Sequence, residues 1–152
     1  MNTTDQLKAW DKFLAFAPYT VRLGIQAVVA NDSGCTVALP YSPDLVGDPE
    51  TGVLHGGAVT ALVDTAFGFA LFFRVRKFIP MATLDLRLNY LRAAKAGVPV
   101  LARAHCYKVS ADLAFVRGEV FESSPEEPFA TCMGTFMFTN GQSPFIPGTA
   151  PR

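Results

Sequence analysis

Residues 54–75 read LHGGAVTALVDTAFGFALFFRV. From Gly56 to about Val75 this is the longest unbroken apolar run of the chain, and its length and alanine content specify a helix rather than a strand. The run from Val53 to Phe73, followed by Arg74-Val75-Arg76-Lys77, also has the length and flanks of a membrane span. Asp64 sits at its middle, where a carboxylate costs about 2.5 to 3.5 kcal/mol on insertion. A helix enclosed in a protein core explains the same residues without that cost.

The two ends of this helix differ in chemistry. Gly56 and Gly57 leave backbone N–H groups bare of side chains at the positive end of the dipole, which suits an anion or a polarised carbonyl oxygen. Seven residues beyond Gly57 comes Asp64. Gly57, Thr60, Ala61 and Gly68 share its face and are small, so the carboxylate has space for a ligand beside it. Leu62, Ala66, Phe69 and Phe73 form a separate core stripe. Taken singly, each feature has an ordinary structural reading: a tight helix entry for the glycines, a hydrogen-bonded acid for Asp64, a loop anchor for His55.

Downstream the period changes to two. Leu84, Leu86, Leu88 and Tyr90 are expected on one face of a strand, with Thr83, Asp85, Arg87 and Asn89 on the other. Three more strands follow, over Val98–Val109, Leu113–Phe121 and Phe129–Phe138, and residues 140–152 read as a loose tail. Upstream, Thr3 and Gln6 form a capping-box pair ahead of a short amphipathic helix that Pro18 ends. Tyr19 to Pro40 reads as two strands joined by the turn Asn31-Asp32-Ser33-Gly34, and Tyr41 to Gly52 as a loop. One long helix segregated onto an antiparallel sheet is an α+β architecture, and residues 1–152 read as a single domain.

Composition narrows the function classes. The chain has 152 residues, half of them apolar, and 13 basic residues balance 13 acidic ones, which argues against a nucleic-acid partner. The balance hides a basic segment: from Arg74 to Arg117 there are nine Lys/Arg against only Asp85 and Asp112. Cys35, Cys106 and Cys132 form no CxxC, so they read as small buried hydrophobes rather than disulfide or metal ligands. With no secretory leader in MNTTDQLKAW, the expected compartment is the cytoplasm. Two histidines, His55 and His105, and no G-x-S-x-G leave little material for a serine triad.

Leu54-His55-Gly56-Gly57 with Asp64, then Thr83-Leu84-Asp85-Leu86-Arg87-Leu88-Asn89-Tyr90-Leu91-Arg92, then Leu113-Ala114-Phe115-Val116-Arg117-Gly118-Glu119-Val120, resembles the hotdog-fold acyl-CoA thioesterases of the PaaI type. The resemblance covers roughly Gly24 to Phe138. It implies a curled sheet around the Gly56–Val75 helix, subunits paired edge to edge in a homodimer or homotetramer, and composite active sites at the dimer interface. It implies that Asp64 is general base or nucleophile and that the Gly57 amide polarises the thioester carbonyl, with Gly56 and His55 shaping the loop and Thr83 at a hydroxyl position. It further implies an acyl-CoA substrate, aromatic or medium-chain, with no cofactor beyond the coenzyme A of that substrate and no metal or membrane partner. Arg92, Lys95, Lys108 and Arg117 are the candidate holders of the coenzyme A phosphates. The chain departs from the family pattern at Pro49, where relatives often carry Asn or Gln, and at Ala111-Asp112, where Gly-Arg or Gly-Lys is common. The rival readings are an enoyl-thioester hydratase or dehydratase of the same fold and a non-catalytic acyl-CoA binder.

Overall fold

The computed structural model describes residues 3–15, 17–31, 33–77 and 79–139, without the side chains of 3–7 and 15. The side chains of the Thr3/Gln6 capping pair and the whole of the 140–152 tail lie outside what is described. In chain order come helices α1 (Thr3–Ala15) and α2 (Pro18–Arg22), strands β1 (Gln26–Asn31) and β2 (Gly34–Leu39), a 3-10 turn (Pro43–Leu45), strands β3 (Val46–Asp48) and β4 (Val53–Leu54), helix α3 (Gly56–Val75), and strands β5 (Met81–Tyr90), β6 (Val100–Val109), β7 (Leu113–Phe121) and β8 (Ala130–Phe138).

Six strands form one antiparallel sheet in the order β1-β2-β6-β7-β8-β5, with α3 laid on one face. Leu62, Val63, Ala66, Phe67, Phe69 and Leu71 of α3 are fully buried, as are Val37 and Leu39 of β2, Val100 of β6 and Val116 of β7. The most apolar window of α3 is 67% buried, which is the enclosed core helix and not a span open to lipid. This is the helix-in-sheet hotdog arrangement that the motifs imply. A left-handed Arg76 ends the helix, its N–H on the Phe72 carbonyl at 2.9 Å. The three cysteines are buried and free; the Cys35 thiol donates to the Ala66 carbonyl at 3.2 Å.

Helix α1 packs on α3 through aromatic rings. Trp10 meets Phe69 edge-on at 4.6 Å and Phe13 lies 5.5 Å from the same ring. Phe13 also covers Gly68, so the small-residue face is closed at that end. The half of α3 that carries Gly56, Gly57, Thr60 and Asp64 stays exposed.

Three local readings are corrected. Pro18 does end one helix, but it also opens the next: its fixed φ suits the first helical position, so Pro18–Arg22 is helical rather than extended. The Tyr41–Gly52 loop contains β3, which pairs with β4 through Val46↔Leu54 and Asp48↔Val53. Its turn is closed by Asp48, whose carboxylate accepts the Glu50 N–H at 3.0 Å and the Thr51 hydroxyl at 2.7 Å. Third, β5 carries a bulge. Thr83 faces Phe136 and Asp85 faces Thr135, leaving Leu84 surplus. The bulge shifts the phase of the alternation, so Thr83 joins Leu86 and Leu88 on the helix side, while Leu84 is 55% exposed.

Candidate active site

His55 caps α3. Its extended backbone (φ −62°, ψ 134°) starts the helix at Gly56, its carbonyl accepts the Ala58 N–H at 2.9 Å, and its own N–H donates to the Leu45 carbonyl at 2.8 Å. Gly47 on β3 is what lets the strand lie against it, since a Cβ there would stand 2.8 Å from the His55 Cα. The imidazole folds back over the first turn, and Nδ1 accepts the Gly57 N–H at 2.9 Å. An accepting Nδ1 places the proton of the neutral ring on Nε2.

This cap distinguishes the two glycine amides. The Gly57 N–H is already taken by His55, whereas among the described residues the Gly56 N–H meets no acceptor. The open amide at the positive end of α3 therefore belongs to Gly56, one residue earlier than the family resemblance implies. The Gly56 carbonyl is also engaged, accepting the Thr60 hydroxyl at 2.9 Å and the Tyr90 hydroxyl at 3.4 Å. Burial raises the Tyr90 phenol above its usual range, so its hydroxyl keeps its proton at neutral pH.

Asp64 lies two turns further along the exposed face. Thr83 reaches it from β5, its hydroxyl donating to Oδ1 at 2.8 Å. The bulge at Leu84 aims Thr83 at the helix. Eight residues separate Gly56 from Asp64, about 12 Å along the axis. The amide and the acid thus stand two turns apart on the same exposed face of the protomer.

The four basic candidates are not gathered at one place. Arg92 and Lys95 follow β5 at the end of the sheet where Tyr90 meets the start of α3. Arg92 is held bidentately by Glu122, at 2.9 and 2.6 Å, and its guanidinium lies 5.8 Å over the Phe129 ring. Glu122, with only 5% of its side chain exposed, also accepts the Lys95 backbone N–H at 2.8 Å. The Lys95 ammonium has no partner among the described residues. Lys108 stands near the other end of the sheet, in register with Phe115 on the face away from α3, and Arg117 lies on that same face, 5.6 Å over the Tyr107 ring. Part of the basic segment is neutralised by acids that follow it in the chain: Arg103 pairs with Glu119 at 3.1 Å and Arg92 with Glu122. Tyr90 and Glu122 are the groups that motif reading misses. In the sequence Tyr90 stands as an apolar position of its strand and within the Thr83–Arg92 motif, with no role of its own, and Glu122 lies outside every motif.

The family model of the thioesterase superfamily matches residues 51–129, which hold the capped glycines, Asp64, Thr83, Arg92 and Glu122. A Pseudomonas aeruginosa protein of known structure is 36% identical and superposes with a TM-score of 0.78, covering 87% of this chain and 98% of that one. A single-site mutant of the phenylacetic acid degradation protein PaaI from Thermus thermophilus is 31% identical with a TM-score of 0.67, over 80% of this chain and 98% of its own. Mouse acyl-coenzyme A thioesterase 13 is 36% identical over 64 residues, which are 42% of this chain and 45% of that protein. The matches to the curated relatives span about half the length of those proteins, from 45% to 62%. A match across more than half of the chain, centred on the capped glycines and the helix acid, together with a relative of known structure aligned over nearly its whole length, makes this chain a member of the thioesterase superfamily.

Proposed function

We propose that the protein hydrolyses acyl-CoA thioesters to a free acid and coenzyme A. The observation that carries the reading is the exposed face of α3, which presents at its positive end an amide without an acceptor among the described residues and, two turns on, a carboxylate oriented by Thr83. Asp64 takes a proton from water as the water oxygen bonds to the thioester carbonyl carbon. The carbonyl oxygen becomes an oxyanion held by the Gly56 N–H, a donor worth about 3 to 4 kcal/mol in the transition state. Collapse breaks the C–S bond, and the protonated Asp64 returns its proton to the departing thiolate.

Because about 12 Å of helix separates amide from acid, the two belong to different copies of the chain in this mechanism, and the functional unit is at least a dimer. Phosphate binding falls to Lys95, whose ammonium has no partner among the described residues at the Gly56 end, ahead of Arg92, which Glu122 engages. An aromatic acyl group is consistent with the chemistry named for the PaaI relative, and a medium-chain acyl group is the other arm of the same test. The experiment is thiol release from aryl, short-chain, medium-chain and long-chain acyl-CoAs by the wild type and Asp64→Asn. Turnover by the wild type and its loss in a folded Asp64→Asn are expected. Wild-type rates in the variant would overturn the assignment.

A further inference from the structure

Two hydroxyls converge on the Gly56 carbonyl without touching Asp64: Thr60 Oγ1 at 2.9 Å, from the next turn of α3, and Tyr90 Oη at 3.4 Å, from β5. That carbonyl and the Gly57 N–H are the two ends of one peptide group, and donors on the oxygen strengthen the N–H as a donor. The Gly57 N–H in turn donates to Nδ1 of His55 at 2.9 Å. A continuous path of hydrogen bonds thus runs from β5 through one peptide to the imidazole.

We propose that Tyr90 and Thr60 are positioning residues that act through the Gly56–Gly57 peptide to hold the His55 ring on Gly57, with its proton on Nε2, and so keep the neighbouring Gly56 N–H open. An imidazole released from Gly57 has a bare Nδ1 next to the Gly56 amide and competes with the thioester oxygen for it. The Tyr90 ring is stacked near Phe129, 6.4 Å between centroids, which fixes its reach without the hydroxyl. Tyr90→Phe therefore removes the hydrogen bond and leaves the packing. This inference rests on reading the Gly56 edge as the thioester site.

The test uses the full chain, whose only histidines are His55 and His105, so ring 15N spectra are assigned with a single His105→Gln variant. In the wild type His55 is expected to show Nδ1 as an unprotonated acceptor and Nε2 as protonated. In Tyr90→Phe/Thr60→Val that single-tautomer signature is expected to be lost. In the same variant kcat falls ~10-fold while KM stays within about twofold, the scale of one to two ordinary hydrogen bonds. Thr60→Ser keeps both the signature and the rate. If the double variant does not fold, Tyr90→Phe alone is read in the same way, for a smaller change in the same direction. An unchanged ring signature in the folded variant, or a changed one with wild-type kcat, overturns the proposal. Absence of thiol release by the wild type from every acyl-CoA would remove the hydrolase reading instead, and the ring spectra would still decide the tautomer control.

Discussion

Oγ1 of Thr83 donates to Oδ1 of Asp64 across 2.8 Å, tying the edge strand β5 to the exposed face of α3. One carboxylate oxygen is thereby fixed while Oδ2 stays available to a water. A hydrogen bond to a charged acceptor contributes about 1.5 to 3 kcal/mol, so Thr83→Val should lower kcat by roughly 10- to 100-fold. Both groups are exposed in the protomer, so the urea midpoint should move little. Thr83→Ser, which restores the donor, should recover most of the rate; steady-state thiol release on the three proteins checks this.

Lys95 and Arg92 should separate binding from stability. The Lys95 ammonium is free among the described residues, while Arg92 is anchored by Glu122, by the Ala93 carbonyl at 3.0 Å and over Phe129. Lys95→Ala is expected to raise KM severalfold for an acyl-CoA but not for the matching acyl-pantetheine, and the difference should shrink in high salt as screening grows. Arg92→Ala should instead lower the urea midpoint, because it leaves the nearly buried Glu122 carboxylate without its charged partner.

Glu122 also sets a pH dependence. The Arg92 hydrogen bond, ahead of the smaller opposing effect of burial, holds its carboxyl below the ordinary value of 4.5. A carboxyl with a depressed folded-state pKa stabilises the fold fully above its unfolded value and loses that contribution as pH falls through the folded value. The stability of the wild type should therefore drop between about pH 6 and about pH 3, and Glu122→Gln should show a smaller drop over the same interval while being less stable at the upper end. Urea titrations of both proteins at the two pH values measure it. Asp48 and Glu126, also lowered, contribute equally to both proteins and cancel in the comparison.

The helix and the sheet were legible because their signals are continuous: 20 residues of apolar helix, then strands whose buried positions alternate without a break over Ala130–Phe138. The site was legible as residue types and illegible as directions. Strict alternation assigns Thr83 to the face of Asp85, and only the pairing of Thr83 with Phe136 and of Asp85 with Thr135 reveals the surplus Leu84 that reverses it. Charge counting along the chain has the same defect. It cannot see that Arg92 meets Glu122, 30 residues away, because that contact depends on where β7 ends beside the segment that follows β5. The choice between two adjacent glycine amides depends on one imidazole rotamer, which no spacing rule encodes.

That choice between Gly56 and Gly57 can be settled with proline. Gly56 is the first residue of α3, where a missing N–H costs the helix nothing and the fixed φ of proline is preorganised. The residue before a proline must be extended, and His55 already is, at φ −62° and ψ 134°. Gly56→Pro thus deletes one N–H with the smallest available disturbance, and its fold should be retained. If the Gly56 amide holds the oxyanion, kcat should fall by about 10²- to 10³-fold, the effect of removing one such donor. Gly57→Ala is the contrasting variant: it keeps both amides but sets a Cβ 2.9 Å from the His55 Nδ1, displacing the ring. It should therefore disturb the cap and the His55 spectrum while retaining more activity than Gly56→Pro. A folded Gly56→Pro with wild-type turnover would return the role to Gly57 and require the His55 ring to swing away when the thioester binds.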